Sequence, residues 1–406
     1  MEAEELAFLT KPETLAWIGA HLEEDPSQLA LRLGNKASGM RAAISQIALL
    51  QKARRKLPGW YNARCIFTPK AYEQASSEAA AGLKKMTGRR CLDLTFGLGM
   101  DAVNFARQFD HVTALEPDPV LAEIGRINLG RLGVSNVTLL TQTAESFLEN
   151  YDGPAFDLIY ADPDRRDLAD NRKIHPANWS PDLSKITPYL EAFGKARWIK
   201  ASPLLDLQEA MRLFPAANRF SVISVNRECK EVWVQFLPMA SSPEIQVIAF
   251  PASERAFCFS SEQLAPALTP PTAPAYIWEP DAAFYHARKT TELTDQFFAE
   301  GSVGWESGEG FGLSQVAAPH HFPGRCFEVL AELPFQPKKL ISWFKEKGIS
   351  RINITKRRFP QPVAQIRKEL RLADGGNLFL ICTTLNGQLT AFLAQKQGSE
   401  QAGDLF

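Results

Sequence analysis

Few residues in this chain of 406 suit a metal site or a disulfide framework. Zinc sites need clustered cysteine or histidine ligands, and small disulfide-stabilised domains need much more cysteine. The six histidines are scattered apart from the adjacent pair His320 and His321. The cysteines form no CxxC pair and no Cys/His cluster: Cys65, Cys91, Cys229, Cys258, Cys326 and Cys382. The sequence therefore predicts no metal site and reduced, mostly buried thiols.

The sequence also lacks a long apolar run and a large excess of charge of one sign. No uninterrupted apolar stretch is long enough to span a bilayer, and the acidic start MEAEELAFLTKPETLAWIG is unlike a signal peptide. The formal charge is −1, so any nucleic-acid surface has to be a local patch. With 22% charged and 45% apolar residues, the composition is that of a globular protein, which we expect to be cytoplasmic.

The periodicity of apolar residues divides the chain into parts. Residues 1–87 carry them at spacings of three and four, which predicts an N-terminal helical region. Across 88–240, seven short strand-like runs alternate with helical ones, which predicts an α/β fold with a parallel sheet flanked by helices. The last two runs, 219–226 and 231–238, are joined by four residues, too few for a crossover helix, so they should form an antiparallel hairpin.

The C-terminal part has a different texture. Residues 241–332 begin with a Pro/Ala/Ser-rich linker and continue with a predicted strand, a helix and a further strand. Residues 333–406 follow the order helix, strand, helix, strand, strand, which predicts a small α+β domain. The length of the chain is consistent with this division into several domains.

The segment CLDLTFGLGMDA combines an acid with a glycine turn. Asp93 lies at the end of a predicted strand, and Gly97 and Gly99 follow it in a tight turn before a helix. The spacing alone also fits the dinucleotide GxGxxA fingerprint, but there the first glycine usually follows an apolar strand directly. A carboxylate at Asp93 suits a cationic ligand, such as the amino-acid moiety of S-adenosylmethionine, better than it suits a pyrophosphate.

Two further strand ends carry candidate cofactor residues. Glu116 ends the next predicted strand, where a carboxylate can accept both ribose hydroxyls of either cofactor. The third strand ends in TQTAESF, which predicts that Thr143 and Ala144 lie against the adenine. Many methyltransferases carry an aspartate there for the exocyclic amine, so Thr143 departs from that pattern, and Glu145 is an alternative acceptor.

The segment LIYADPDRR, residues 158–166, ends a strand-like run with an acid, a proline and two arginines. In a doubly wound sheet, ligands bind beyond the carboxyl ends of the strands, so Asp162 and Pro163 should lie beside the cofactor. Asp162 would accept a hydrogen bond from an amine. Arg165 or Arg166 would stack on a base or bind a phosphate, unless the two arginines only pair with nearby acids.

The Asp-Pro-x-Arg pattern also occurs in uridine ring-carbon methyltransferases, which need a cysteine nucleophile at the end of the next strand. The corresponding stretch here is KASP, residues 200–203, which contains no thiol. A serine hydroxyl is a poor substitute without an adjacent base, so direct transfer to a nitrogen or oxygen is favoured. Lys200 of this stretch is either a phosphate contact or a solvated lysine at the strand end.

Two basic segments are candidate nucleic-acid surfaces, although each could be a solvated helix face. Residues 51–64 hold five basic residues, no acid and two aromatic residues, a composition suited to phosphates and base stacking. Residues 351–371 hold seven basic residues against Glu369 alone, with Phe359 among them. Within this second segment, the candidate RNA contacts are Lys356, Arg357 and Arg358, in addition to Arg166 and Lys200 near the strand ends.

The order and spacing of these motifs resemble those of class I S-adenosylmethionine-dependent methyltransferases over about residues 90–238. A closer resemblance is to a bacterial methyltransferase-like family with a THUMP-like C-terminal domain. It is based on DLTFGLGMDA, on the Asp-Pro-x-Arg-Arg segment and on EQASSE at residues 73–78. It extends to YIWEPDAA at 276–283, to FPGRCFEV at 322–329 and to the tail from about 333.

This resemblance implies a seven-stranded Rossmann-like methyltransferase sheet in 88–240, in which the seventh strand is antiparallel to the rest. It further implies a small ferredoxin-like segment within 241–332 and a THUMP-like domain in 333–406. THUMP domains bind RNA, so the implied partner is a tRNA or an rRNA. The implied catalytic residues are Asp162, Pro163 and Arg165.

The resulting prediction is an S-adenosylmethionine-dependent methyltransferase that acts on a base nitrogen of structured RNA. One alternative keeps the cofactor and changes the substrate to a small molecule or a protein. A second alternative is an RNA-binding module with an inactive methyltransferase fold. It is motivated by Thr143 and by Asp164 and Arg165, which stand where amino-methylating enzymes of this class carry a second proline and an aromatic residue.

Overall fold

The protein, as given by a computed structural model, consists of two compact units. The first comprises Met1–Ser221 and Lys230–Pro243, and the second comprises Val222–Cys229 and Glu244–Phe406. The helical region predicted for residues 1–87 therefore belongs to the same unit as the sheet that follows it. The structure describes residues 1–33, 38–164, 176–238, 243–250, 256–260, 273–298, 303–305, 307–317, 319 and 321–397.

The first unit begins with seven helices, as the periodicity predicts. They are α1 (Ala3–Leu9), α2 (Pro12–Ala20), α3 (Pro26–Leu33), α4 (Ser38–Lys56), α5 (Pro58–Asn62), α6 (Pro69–Gln74) and α7 (Glu78–Gly82). The long helix α4 contacts α1, α2, α3 and α5 and is the centre of this layer. The hydroxyl of Ser77 accepts a hydrogen bond from the Ala80 N–H and so caps the start of α7.

An α/β sheet follows. Its strands are β1 (Gly88–Asp93), β2 (Phe109–Leu115), β3 (Val137–Leu140), β4 (Phe156–Ala161), β5 (Gly194–Ala201), β6 (Arg219–Val225) and β7 (Glu228–Phe236). The intervening helices are α8 (Met100–Ala106), α9 (Pro119–Arg131), α10 (Ala144–Glu149), a 3₁₀ turn (Pro176–Asn178), α11 (Leu183–Phe193) and α12 (Leu207–Leu213). Across these seven strands the order is β3-β2-β1-β4-β5-β7-β6, and two further strands extend the same sheet beyond β6.

The pairing of these strands confirms the predicted Rossmann-like order, and the complete sheet has nine strands among the described residues, two more than predicted. Strands β1 to β5 are parallel, whereas β7 is antiparallel to β5, with Lys200 opposite Trp233. The hairpin is the reason, because the turn between β6 and β7 is too short for a crossover and reverses the chain.

Parallel pairing brings the ends of the strands to one edge of the sheet. Strand β1 ends at Asp93, β2 ends one residue before Glu116, and β4 ends one residue before Asp162. Lys200 is the penultimate residue of β5. The fold therefore collects residues that are more than 100 positions apart in the chain.

The helical layer is joined to the sheet by buried amide side chains. Asn128 of α9 accepts a hydrogen bond from the Ile66 N–H at 2.8 Å and donates one to the Ile66 carbonyl at 2.9 Å. Gln46 of α4 makes the same pair of bonds to the backbone of Phe67. Buried backbone groups need partners, so these two amides fix the extended segment between α5 and α6.

The second unit contains strands within the segment predicted to hold a linker, namely β8 (Glu244–Phe250) and β9 (Phe257–Ser260), which pair antiparallel. They are followed by β10 (Tyr276–Pro280), α13 (Ala282–Ala287), α14 (Thr290–Phe297), β11 (Val303–Trp305), β12 (Gly312–Ser314) and β13 (Gly324–Pro334). The tail has the predicted order, with α15 (Pro337–Glu346), β14 (Asn353–Lys356), α16 (Val363–Leu370), β15 (Leu378–Leu385) and β16 (Gln388–Lys396).

One sheet joins the two C-terminal parts that the sequence predicts as separate. Its order is β11-β12-β10-β13-β16-β15-β14. Strand β13 pairs with β10 on one side and with β16 on the other, so the predicted boundary between residues 332 and 333 lies inside a strand. Helices α15 and α16 pack on this sheet through a core that includes Leu340, Phe344 and Ile366. No helix among the described residues is long and apolar enough to cross a membrane.

Candidate cofactor and catalytic site

A cavity of about 1560 Å³ lies in the first unit and is lined from the carboxyl edge of the sheet. It brings together most of the predicted site residues, namely Gly97, Glu116, Thr143, Ala144, Asp162, Pro163 and Lys200. The N-terminal region supplies another wall, which includes Lys56 at the end of α4 and Ser76 between α6 and α7. The N-terminal helices are therefore part of the candidate site.

The turn after β1 requires glycine at two positions. Gly97 and Gly99 have φ angles of +56° and +86°, in the left-handed region that other residues rarely adopt. A Cβ on Gly99 would lie 2.4 Å from the ring of Phe96, so the turn has no space for a side chain there. A Cβ on Gly97 would meet no atom within 4 Å. Gly97 thus presents bare backbone to open space in the cavity.

Glu116 is held in place by the backbone around it. Its Oε2 accepts a hydrogen bond from the Gly97 N–H, and its Oε1 accepts one from the Asp118 N–H, both at 3.0 Å. Asp118 in turn caps α9 by accepting from the N–H groups of Val120 and Leu121. Burial raises the pKa of Glu116 above its ordinary value, against the effect of these hydrogen bonds. The carboxylate is buried, oriented and next to the glycine turn.

Asp93 has a buried oxygen that lacks a partner. The residue is 1% exposed, and its Oδ1 accepts from the Thr95 N–H at 3.0 Å. Its Oδ2 has no hydrogen-bond partner among the described residues. Burial raises the pKa of Asp93 to about 7. Asp93 is not among the residues that line the cavity, so its role as a ligand for a cationic group stays a prediction, which is motivated by the cost of an unpaired buried carboxylate oxygen.

Thr143 serves the protein backbone as well as lining the cavity. Its hydroxyl accepts a hydrogen bond from the Ser146 N–H at 3.2 Å and caps α10. Glu145, the alternative acceptor for the adenine, uses its Oε1 to accept from the Asp182 N–H at 3.0 Å. The adenine roles of Thr143 and Ala144 stay predictions, and Thr143 has in addition a local reason to be a capping residue.

Asp162 lies directly after β4 and is joined to two neighbouring strands. Its backbone N–H donates to the hydroxyl of Thr95 at 2.7 Å, and its Oδ2 forms an ion pair with Lys200 Nζ at 2.5 Å. The Asp162 side chain is 25% exposed and lines the cavity. Pro163 is buried next to it and lines the same cavity. Asp162 therefore lies at the cavity, and its role as a hydrogen-bond acceptor for a substrate amine stays a prediction.

The alternative that Lys200 is a solvated strand-end lysine is wrong. Lys200 is 7% exposed, and its ammonium contacts Ser76 Oγ at 2.8 Å and Glu231 Oε1 at 3.7 Å besides Asp162. Burial alone would lower the pKa of Lys200, but Asp162 and Glu231 raise it above its ordinary value. The ammonium is thus committed to carboxylates of the protein. Its role as an RNA contact stays a prediction that this burial does not favour.

Two predicted residues, Arg165 and Arg166, lie outside the described residues. Asp164, which precedes them, pairs with Ser180, because the Asp164 N–H donates to the Ser180 carbonyl at 2.8 Å and the Ser180 N–H donates to the Asp164 carbonyl at 2.9 Å. Asp164 and Ser180 both line the cavity. The catalytic and substrate roles of the two arginines stay predictions.

The cavity is rich in acids. Among its lining residues that the structure describes, ten are aspartate or glutamate and four are lysine. Such a lining attracts cations and repels phosphates. Across the described ranges, no group of three or more His, Cys, Asp or Glu side chains is arranged to hold a metal ion.

The N-terminal basic segment offers less aromatic surface than its composition indicates. Trp60 is only 2% exposed and belongs to the core. Tyr61 is flanked by Arg54 and Arg64, whose guanidinium carbons lie 5.0 and 4.8 Å from the ring centroid. Of the two aromatic residues, Tyr61 is half-buried with two guanidinium groups beside its ring, and Trp60 is inaccessible to a base.

The C-terminal candidates lie at the end of β14. Lys356 donates to the Phe359 carbonyl at 2.8 Å, and Arg358 is exposed with a φ of +47°. Arg357 is stacked on the Tyr285 ring, 3.2 Å from its centroid, and its Nε lies 3.6 Å from Glu279 Oε1. Phe359 is 4% exposed and packs in the core, so it cannot stack on a base. The RNA roles of the three basic residues stay predictions.

Sequence reasoning missed a network of buried charged residues that is linked to Asp162 through Lys200 and Glu231. Lys84 forms ion pairs with Asp101 Oδ1 at 2.9 Å and with Glu231 Oε2 at 2.8 Å. The Tyr160 hydroxyl donates to Asp101 Oδ2 at 2.6 Å. One signal was present in the sequence, because Glu231 is the only charged residue in the predicted strand 231–238. A charge at such a position needs a buried partner.

Comparison with known proteins supports two parts of this description. Residues 324–396 match the family described as THUMP domain-like. A search of curated proteins gave no match. Over nearly the full length, the chain is similar to the crystal structure of a candidate methyltransferase from Porphyromonas gingivalis W83. The two are 24% identical with a TM-score of 0.79, over 98% of this chain and 99% of that one.

Other solved structures match only part of the chain. A candidate methyltransferase from Streptococcus mutans, in complex with SAH, is 16% identical over 42% of this chain and 99% of that one, with a TM-score of 0.29. TrmK from M. capricolum, in complex with S-adenosylhomocysteine, is 8% identical over 44% of this chain and 70% of that one, with a TM-score of 0.30. The chain combines a class I methyltransferase fold with a THUMP-like domain at residues 324–396. The grounds are the sheet order, the full-length structural match and the family match.

Proposed function

We propose that this protein is an S-adenosylmethionine-dependent methyltransferase that acts on a base nitrogen of structured RNA. One observation carries the cofactor assignment. The buried Oδ2 of Asp93 lacks a partner among the described residues, in a turn that also presents bare backbone at Gly97 and the oriented carboxylate of Glu116. These groups fit an ammonium and a ribose at the end of the sheet where ligands bind in this fold.

The electrostatics favour a cationic cofactor over a dinucleotide. S-adenosylmethionine carries an ammonium and a sulfonium, and both are stabilised by nearby carboxylates. A pyrophosphate would meet Glu116 and a lining in which acids outnumber lysines. Asp93 would hold the amino-acid moiety, Glu116 the ribose hydroxyls, and Thr143 and Ala144 the adenine.

The cofactor supplies a methyl group already activated on a positively charged sulfur, so the protein mainly has to align the acceptor and stabilise charge. Asp162 would accept a hydrogen bond from the acceptor amine and orient its lone pair toward the methyl donor. The Pro163 carbonyl would be a second acceptor next to it. No cysteine follows β5 in KASP, which supports transfer to nitrogen rather than covalent addition to a ring carbon.

The THUMP-like domain supports RNA as the substrate. Domains of this kind bind RNA, and the match covers 73 residues, 324–396, which include the candidate contacts Lys356, Arg357 and Arg358. Because the cavity lining is acidic, we infer that only the target base enters the cavity and that the phosphates are bound elsewhere.

The decisive experiment is transfer of label from methyl-tritiated S-adenosylmethionine into separated RNA, protein and metabolite fractions of a cell extract. We expect label in RNA, at a base nitrogen, and a loss of at least 100-fold in the Asp162→Ala variant. Label that D162A leaves unchanged would contradict the catalytic role of Asp162. Tight cofactor and RNA binding without transfer would favour the inactive RNA-binding module instead.

The acidic lining also favours a second candidate substrate. A protonated amine of a small molecule or a protein would be attracted by the ten acidic lining residues. Such an amine has to lose a proton before it accepts a methyl group. Label in the protein or metabolite fraction, with a rate that rises with pH, would support this candidate over RNA.

A further inference from the structure

We propose that Lys200 is a positioning residue for Asp162 and that Glu231 and Ser76 fix Lys200 in turn. The proposed function gives no role to Lys200, Glu231 and Ser76, and the inference rests on that function for its catalytic consequence. It also gives a physical role to Ser76 of the EQASSE segment.

The contacts form a continuous chain of buried polar groups. Lys200 Nζ contacts Asp162 Oδ2 at 2.5 Å and Ser76 Oγ at 2.8 Å. The Ser76 hydroxyl donates to Glu231 Oε1 at 2.7 Å. Glu231 Oε2 accepts from the indole N–H of Trp233 at 2.7 Å and from Lys84. Every oxygen of Glu231 and the ammonium of Lys200 are thus held from more than one side.

Burial restricts the movement of the side chains in this network of contacts. The side chains of Glu231 and Lys200 are 3% and 9% exposed, whereas that of Asp162 is 25% exposed. Ion pairs taken out of water are strongly coupled, and loss of one partner leaves an uncompensated charge. Burial disfavours the charged form of Glu231, but Lys84 and Lys200 together lower its pKa. Asp162 is therefore the solvent-facing end of a fixed support.

The consequence for catalysis is geometric. Asp162 lines the open cavity, as Ser76, Lys200 and Glu231 also do, and its Oδ2 is held by Lys200. The Thr95 hydroxyl accepts from its backbone N–H, so both ends of the residue are fixed. A carboxylate held in this way can present an acceptor in one orientation, which in-line methyl transfer requires.

The structure offers a matched control in Lys84. Both lysines pair with Glu231, and the Lys84 side chain is fully buried. Lys84 pairs with Asp101 instead of Asp162 and is not among the residues that line the cavity. If the network only stabilises the fold, K84M and K200M should have equivalent effects on transfer. If Lys200 positions Asp162, K200M should reduce transfer more than K84M at an equal folded fraction.

The first measurement is single-turnover label transfer into RNA together with calorimetric binding of S-adenosylmethionine. For K200M we expect transfer to fall at least tenfold while the cofactor Kd changes less than about threefold. For K84M we expect a smaller loss per folded molecule. An equal loss of transfer in the two variants would overturn the inference. A loss of transfer in K200M that is matched by an equal loss of cofactor affinity would also overturn it.

If K200M does not fold, the serines of the same segment provide the test. S76A removes a hydroxyl that touches Lys200 and Glu231, and S77A removes one that caps α7. We expect S76A to lower transfer severalfold and S77A to act on stability. A larger loss of transfer in S77A than in S76A would contradict the proposal.

A second measurement does not depend on methylation. In urea unfolding, K200M should lower the folding equilibrium constant by a larger factor in the wild-type background than in the D162N background, because Asp162 then remains uncompensated. Equal factors would show that Lys200 does not act on Asp162 and would overturn the inference. If the two factors differ clearly but the protein transfers label to no fraction, the interaction between Lys200 and Asp162 is supported and the proposed function is rejected.

Discussion

Glu116 Oε2 accepts a hydrogen bond from the backbone N–H of Gly97 at 3.0 Å. This contact joins the residue after β2 to the turn after β1, so the carboxylate and the glycine turn are fixed relative to each other. The second oxygen is held by the Asp118 N–H. Since the two residues lie 19 positions apart in the chain, their contact depends on parallel pairing of β1 and β2.

We expect Glu116→Ala to weaken S-adenosylmethionine binding by about tenfold or more. The change removes the acceptor for the ribose hydroxyls and leaves the Gly97 N–H without its partner, losses worth ~1–3 kcal/mol. Titration calorimetry of the purified protein is the measurement. Glu123→Ala, on the exposed face of α9, is the control and should bind normally. Unchanged affinity in E116A would rule out the assigned ribose site.

Gly97→Ala should weaken cofactor binding without a clash in the folded protein. Gly97 and Gly133 have φ angles of +56° and +69°, and a Cβ on either would meet no atom within 4 Å. Both alanine variants should therefore lose a similar ~1 kcal/mol of unfolding free energy from backbone strain. Only G97A should lower cofactor affinity, because only Gly97 lines the cavity. An equal effect of the two variants on binding would contradict the turn's role.

Asp93→Asn should stabilise the cofactor-free protein at high pH and abolish tight cofactor binding. Burial raises the folded-state pKa from 3.8 to about 7, so the folded state binds this proton more tightly than the unfolded state. The resulting stability is present below pH 4 and is lost as the pH rises through 7. At pH 8, D93N should therefore exceed the wild type in unfolding free energy by an amount on the order of a few kcal/mol. Urea unfolding at pH 5 and pH 8 measures this.

The same group predicts the pH dependence of binding. A cationic ligand favours the ionised carboxylate, so wild-type affinity for S-adenosylmethionine should fall as the pH drops below about 7. The control is Asp110→Asn, whose carboxyl is 77% exposed and which should change neither stability nor binding. A D93N protein that is less stable at pH 8, or that binds the cofactor normally, would be evidence against this assignment.

Replacement of Lys356, Arg357 and Arg358 together by methionine should weaken RNA binding and reduce its dependence on salt. Each phosphate contact that is lost lowers the slope of log affinity against log salt by about 1. Filter binding of total tRNA or rRNA between low and high salt is the measurement. Lys338 and Lys339, exposed at the start of α15 and outside residues 351–371, are the control pair. An unchanged slope would show that residues 351–371 are not part of the RNA-binding surface.

The candidate cofactor residues could be predicted because each stands next to a local signal. Asp93, Glu116 and Asp162 follow apolar strand-like runs, and parallel pairing puts such ends on one edge. The positive φ angles of Gly97 and Gly99 follow from the same reasoning, since only glycine adopts them freely. Sequence patterns of this kind extend over less than a dozen residues.

The network of Lys200, Glu231, Ser76 and Lys84 that holds Asp162 could not be predicted, because these residues are distant in the sequence. Lys84 and Glu231 are 147 positions apart, and Ser76 and Lys200 are 124 apart. Nothing in the local sequence distinguishes Lys200 from a solvated lysine. Likewise, the composition of Arg54 to Arg64 does not reveal that Trp60 is in the core while Tyr61 is at the surface.

The sequence by itself determined the alternation of strands and helices, the antiparallel hairpin and the order of motifs at the strand ends, since these depend on periodicity and turn length. Tertiary structure decided which charges are buried together and where the domains divide. Strand β13 pairs on both sides, so its 11 residues belong to one sheet regardless of the change in composition around them. Pairing partners and burial are properties of the folded chain, because they depend on residues that only folding brings within a few ångströms.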